Sequence, residues 1–149
     1  MKIAVVGASG LVGQEVVKLL EDSGALVTAL GRRSVGAHIL DNKYLVQDIE
    51  SFDWSQVDGV MLSAGSEVSQ WLRSRHIKAW MIDNSSAFRR DDHVPLIVPE
   101  IYQGEASQVM ASPNCVAIPI ALMLHALSPI GQIKSIWGST YQSISGAGR

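Results

Sequence analysis

The single cysteine of the chain, Cys115, stands in SPNC directly before an apolar run, VAIPIALMLHAL. At a helix start a thiol meets unpaired backbone N–H groups and the positive end of the helix dipole. Both favour the thiolate, the form that attacks a carbonyl carbon. The competing interpretation is a core position, because free cysteine is among the most buried residue types, and on spacing alone that interpretation has the stronger claim.

A second set of residues suits phosphate. GASGLVG places glycines at 7, 10 and 13, between a predicted strand and a predicted helix. In such a turn one glycine allows the tight bend and another lets backbone N–H groups approach a pyrophosphate. A third brings helix and strand close, and the helix N-terminus attracts the negative charge. An isolated glycine triplet is equally compatible with a merely tight connection; its place after the first strand favours a dinucleotide. After the second predicted strand comes ALGRRSVGA, with no acidic residue where a ribose 2′-hydroxyl would need one. Arg32, Arg33 and Ser34 offer guanidinium and hydroxyl donors instead, which match a 2′-phosphate and predict NADP over NAD. An exposed basic turn is the plainer alternative.

The elements that must hold these residues are short β-branched runs alternating with helical patterns. KIAVV from Lys2, LVTAL from Leu26, GVMLSA from Gly59 and AWMID from Ala79 read as strands. QEVVKLLEDSG has one apolar side built from Val16, Val17, Leu19 and Leu20, with Gly24 as its stop, and SEVSQWLRSRH supplies another helix. In VAIPIALMLHAL, Pro119 falls in the first turn, where its missing N–H matters least, and Ala121, Leu122, Leu124 and Leu127 form the apolar body. This alternation predicts an α/β domain with a mostly parallel sheet covered on both faces. The least regular stretch is 31–42, and 83–99 reads as a long ordered loop carrying Arg89 and Arg90.

The totals bound the function. A chain of 149 residues, 47% hydrophobic and 17% charged, is enough for one domain with a real core. Its net charge of -2 gives no electrostatic case for nucleic acid or an anionic membrane. No apolar run reaches the roughly 18 residues of a membrane span, and MKIAVVGASG is a strand and turn, not a signal peptide, so the default expectation is cytoplasmic. One cysteine forms no internal disulfide, and His38, His76, His93 and His125 show no ligand spacing, so no metal site is expected.

GASGLVG, RRSVGA, SAGSEVS, DNSSAFRRDDHVPLIVPEI, SPNC and STYQSISGAGR occur in that order along the whole chain. Together they resemble the aspartate-β-semialdehyde dehydrogenases. The resemblance implies a Rossmann-type, doubly wound domain over 1–149, the NADP-binding half of such an enzyme. It implies an NADP-dependent aldehyde oxidoreductase acting on an acyl phosphate: reductive dephosphorylation of aspartyl-4-phosphate to the semialdehyde, in the biosynthesis of lysine, threonine, methionine and diaminopimelate. Cys115 would then be the thioester nucleophile, Asn114 would steady the acyl oxygen and Gln142 would orient the substrate near the thiol. Arg89 would bind the phosphate of substrate or product. Gly7, Ser9, Gly10, Leu11 and Val12 would form the pyrophosphate turn, Arg33 and Ser34 would hold the 2′-phosphate, and Ser145 and Gly146 the nicotinamide end.

Members of that family are about twice this length. Their second half carries the general-base histidine, a carboxylate-binding arginine and the homodimer surface, none of which can be assigned here. The chain by itself is therefore expected to bind NADP without turnover. Two further possibilities are a non-catalytic nucleotide-binding paralog, against which Asn114 and Cys115 count, and a relative such as the N-acetylglutamyl phosphate reductases, against which the extended DNSSAFR counts.

Overall fold

A computed structural model describes residues 1–142 of the chain. The strands are β1 (Lys2–Val6), β2 (Leu26–Gly31), β3 (His38–Ile39), β4 (Tyr44–Leu45), β5 (Gln47–Asp48), β6 (Gly59–Leu62), β7 (Trp80–Asp83) and β8 (Val109–Ala111). The helices are α1 (Leu11–Asp22), α2 (Ser66–Arg73) and α3 (Ala117–Leu127), with one 3-10 turn at Trp54–Gln56. Six strands form one sheet in the order β5-β2-β1-β6-β7-β8, with every pairing parallel. The direction of winding reverses between β1 and β6, the switch point at which open α/β sheets bind ligands.

Both faces of this sheet are covered, which is why β1 reads as an unbroken apolar run with Ile3, Ala4, Val5 and Val6 all buried. Alternate residues of the strand serve different cores. Ala4 and Val6 join Leu30, Val60, Leu62, Met81 and Leu72 of α2, whereas Val5 joins Ala29, Val46 and Val17 of α1. One helix therefore lies on each side, and the fold is the doubly wound, Rossmann-type architecture that the alternation predicts. α1 stops as expected. Gly24 takes φ +79, and N–H groups of Gly24 and Ala25 return to the carbonyls of Glu21 and Leu20.

Several boundaries and four strands depart from the pattern: α1 starts at Leu11 instead of Gln14, and β2 and β7 each shift by one residue at one end. α2 ends at Arg73, three residues short of the predicted His76, which takes φ +50 in the turn that follows. α3 begins at Ala117, and β6 stops at Leu62 to free Ser63 and Ala64 for the next loop. β8 is three residues long and was not predicted; β3, β4 and β5 have two residues each, too short for a period of two to show. The antiparallel pair β3–β4 is held against α1 by Glu21, which accepts from the Tyr44 hydroxyl and pairs with Lys43. Burial, then the Glu21 carboxylate, pushes the Tyr44 hydroxyl up to about 12. Glu21 is lowered by its hydrogen bond from Lys43 and then that from Tyr44.

α3 differs from the other two helices: it is apolar on every side and none of its residues is buried. Among the described residues, no helix is long and apolar enough to cross a membrane.

Candidate active site

The glycine turn closes the C-terminal end of β1 at the switch point. Gly7 takes φ +84, a conformation that costs other residues, and a Cβ there would lie 2.6 Å from the carbonyl oxygen of Ser63 on the loop after β6. Gly13 sits in the first turn of α1, where a Cβ would lie 2.1 Å from the Gly7 oxygen. Two of the three glycines thus have steric reasons: one for the bend and one for the approach of helix to strand. Gly10 is the N-cap of α1, with its own N–H bonded to the Gly7 carbonyl at 3.0 Å. It offers no capping side chain, and the first turn holds no acidic residue. The N–H groups of Leu11, Val12 and Gly13 have no partner within the helix, and the Leu11 and Val12 side chains are exposed. This cradle fits a pyrophosphate: backbone donors, a favourable dipole and no carboxylate to repel it.

At the end of β2 the Ser9 hydroxyl donates to that of Ser34 at 2.8 Å, fixing the turn to the Arg-Arg-Ser segment. Arg32 and Arg33 separate here. Arg32 is engaged by Glu50 at 3.2 Å and Glu67 at 3.1 Å, so it is not free to serve an anion without giving up those contacts. Arg33 is exposed, and no partner for its guanidinium is found among the described residues. Arg33 and Ser34 therefore remain as the pair that could take a 2′-phosphate.

Cys115 is exposed, so it is not the core residue that spacing alone favoured. It lies in the turn before α3, one residue ahead of the N-cap Val116, not inside the helix. Asn114 shapes this turn: its Oδ1 accepts from the Val116 N–H at 2.9 Å, and its carbonyl accepts from the N–H groups of Ala117 and Ile118. The thiol lies 3.9 Å from the same Oδ1. From 27 residues away, Gln142 donates its Nε2 to the Cys115 Sγ at 3.5 Å. A thiol with an amide donor on it is open to a substrate and carries a group able to stabilise developing negative charge.

Arg89 is brought toward the cysteine segment by hydrogen bonds to backbone. Its Nε donates to the Ser112 carbonyl at 2.9 Å and its Nη2 to the Asn84 carbonyl at 2.8 Å, which places it against the strand ends that lead into Cys115. Its neighbour Arg90 is exposed and shares neither contact. Ser145 and Gly146 lie outside the described residues. Among the described residues no group of three His, Cys, Asp or Glu side chains could hold a metal.

Sequence reasoning missed Ser63, Asn84 and Asp83. Asn84 Nδ2 donates to Ser63 Oγ at 3.3 Å, tying the loop that backs Gly7 to the loop that holds Arg89. They lie in the SAGSEVS and DNSSAFRR segments and at strand ends, the part of this fold that builds sites, but nothing in those segments singled them out.

A doubly wound sheet with a glycine cradle at its switch point defines a dinucleotide-binding domain, and this one carries an exposed thiol beyond a later strand. The chain belongs to the semialdehyde dehydrogenase NAD-binding domain family, whose pattern matches residues 2–109. The aspartate-semialdehyde dehydrogenase of Bacillus subtilis strain 168 is 35% identical over 159 positions, covering 99% of this chain and 46% of that protein. That of Helicobacter pylori 26695 is 39% identical over 159 positions, covering 98% and 46%. In structure the chain is similar to aspartate semialdehyde dehydrogenase II of Vibrio cholerae, solved in complex with ASA. The TM-score is 0.69 at 34% identity, covering 87% of this chain and 45% of that one. The chain spans about half the length of the curated relatives it matches.

Proposed function

We propose that this chain is the cofactor-binding, thiol-bearing part of an aspartate-semialdehyde dehydrogenase, which makes L-aspartate-4-semialdehyde from L-aspartyl-4-phosphate with NADPH. The observation that carries this reading is the exposed Cys115 thiol with the Gln142 amide on it, in a chain of the semialdehyde dehydrogenase family. The Cys115 thiolate attacks the acyl carbon, the C–O bond to phosphate breaks, and a thioester and free phosphate result. In this reading Gln142 Nε2 and Asn114 Nδ2 would be the donors to the oxygen that gains charge in that step, while Asn114 Oδ1 stays with the Val116 N–H. Arg89 binds the departing phosphate as a charge-assisted donor. NADPH, when bound, supplies the hydride that converts the thioester to the aldehyde and returns the thiolate.

Gly7, Ser9, Gly10, Leu11 and Val12 hold the pyrophosphate in this reading, Arg33 and Ser34 the 2′-phosphate, and Ser145 and Gly146 the nicotinamide end. The general base, the carboxylate-binding arginine and the homodimer contacts are assigned to the half of the relatives that this chain does not match. The test is phosphate-dependent NADP reduction with aspartate semialdehyde, using the gene product isolated from its source cells, together with its intact mass. Activity that disappears in Cys115→Ser supports the reading. A wild-type product that binds NADP but does not oxidise aspartate semialdehyde overturns it in favour of a non-catalytic paralog.

A further inference from the structure

Asp83, at the C-terminal end of β7, is completely buried, and Ser69 of α2 is the other buried polar side chain among the described residues. A carboxylate taken out of water is costly unless its lone pairs are satisfied. Its Oδ1 accepts from Ser69 Oγ at 2.6 Å and from the Ser85 N–H at 3.1 Å, and its Oδ2 accepts from Ser85 Oγ at 2.7 Å. Ser85 Oγ accepts in turn from the Ala87 N–H at 3.1 Å. The side chain thereby winds residues 84–87 into a fixed turn. The Asp83 carbonyl accepts from the Ser112 N–H at 2.8 Å, fixing the exit of β8 as well.

The two carbonyls that hold Arg89 belong to Asn84 and Ser112, the residue next to Asp83 and the residue bonded to its carbonyl. A guanidinium has five N–H donors. Nε and one N–H of Nη2 are used on those carbonyls, which leaves three for an anion, including both on Nη1.

We infer that Asp83 is the positioning residue for Arg89: its buried carboxylate sets the turn whose carbonyls present the guanidinium to a phosphate-bearing substrate. The inference rests on the proposed role of Arg89 in phosphate binding, and the test separates the two. The probe is modification of arginines by phenylglyoxal in the full chain, followed at each site by peptide mass spectrometry, with and without inorganic phosphate. Arg90 is the internal reference and circular dichroism reports the melting temperature.

In Asp83→Asn the Arg89 rate is expected to rise about tenfold, as for loss of a hydrogen-bonded charged contact, while Arg90 keeps its wild-type rate. Phosphate protection of Arg89, present in wild type, is expected to be lost. Ser85→Ala, which keeps the carboxylate and removes one donor, gives a smaller rise in the same direction and carries the test if Asp83→Asn does not fold. An unchanged Arg89 rate in a folded variant overturns the inference, and so does an equal rise at Arg89 and Arg90, the mark of general loosening. If Asp83→Asn frees Arg89 but phosphate never protects it in wild type, positioning stands and the phosphate role of Arg89 falls.

Discussion

The Gln142 amide donates to the Cys115 Sγ at 3.5 Å although the two residues are 27 positions apart. The thiol is otherwise exposed, its other contact being the Asn114 oxygen 3.9 Å away. A donor of this kind stabilises the thiolate more than the thiol, so it bears directly on reactivity.

Alkylation of Cys115 by iodoacetamide at neutral pH is expected to proceed in the native state without denaturant. Gln142→Ala should slow it about fivefold, the equivalent of one modest hydrogen bond. A thiol that reacts only after unfolding contradicts the exposed geometry, and a Gln142→Ala variant that reacts at the wild-type rate removes Gln142 from the site.

NADP is expected to raise the stability of the chain by about 2.7 kcal/mol at a hundred times its Kd, since a ligand of the native state alone stabilises it by mass action. NAD at the same concentration should do less. Arg33→Ala combined with Ser34→Ala should erase the difference, because it removes the two groups left for a 2′-phosphate. Urea denaturation with each nucleotide measures this; equal effects of NAD and NADP on wild type would rule out the 2′-phosphate site.

Gly13→Ala should destabilise the chain by about 1–3 kcal/mol, the range for forcing extra atoms into a closely packed contact. Its Cβ would lie 2.1 Å from the Gly7 oxygen and 2.8 Å from the Ala8 Cα, both backbone atoms that cannot swing aside. Gly24→Ala meets no neighbour but must take φ +79, so it should lose only the cost of that conformation. A urea midpoint for Gly13→Ala at or above that of Gly24→Ala would show that α1 can back away from β1.

The Tyr44 hydroxyl, raised from 10.0 to about 12, is protonated more readily in the folded chain than in the unfolded one. Its contribution is therefore full below about pH 10 and is lost as pH rises through 12. Glu21 is lowered from 4.5, so its contribution is present above that value and fades as acid protonates the folded form. Tyr44→Phe should flatten the alkaline limb of stability against pH and shrink the acid limb only in part, because the Lys43 hydrogen bond, the larger cause of the lowered Glu21, remains. Urea midpoints across both limbs decide it, and an unchanged alkaline limb would remove the Tyr44–Glu21 bond from the account.

Much of the domain is legible in residue order because local chemistry fixes it. KIAVV is buried on both faces and reads as such; Gly24 stops α1; Gly7 and Gly13 are glycines because a Cβ at either would strike backbone. The family motifs likewise name Cys115, Arg89 and Gln142 without coordinates. What order alone left open was settled by contacts distant in sequence. Spacing favoured a buried cysteine, and the fold leaves it exposed because α3, apolar on all sides, buries none of its residues within the described structure. Arg32 and Arg33 are adjacent and chemically alike; only tertiary structure brings Glu50 and Glu67 to the first and leaves the second exposed. Asp83 opens the DNSSAFRR motif, but the motif gives it no role, because its importance lies in Ser69 and Ser85 meeting one fully buried carboxylate. Backbone conformation and burial period are properties of a few neighbouring residues and can be read from them. Partner choice depends on which side chains the winding of the sheet brings together, and that was decided by the fold.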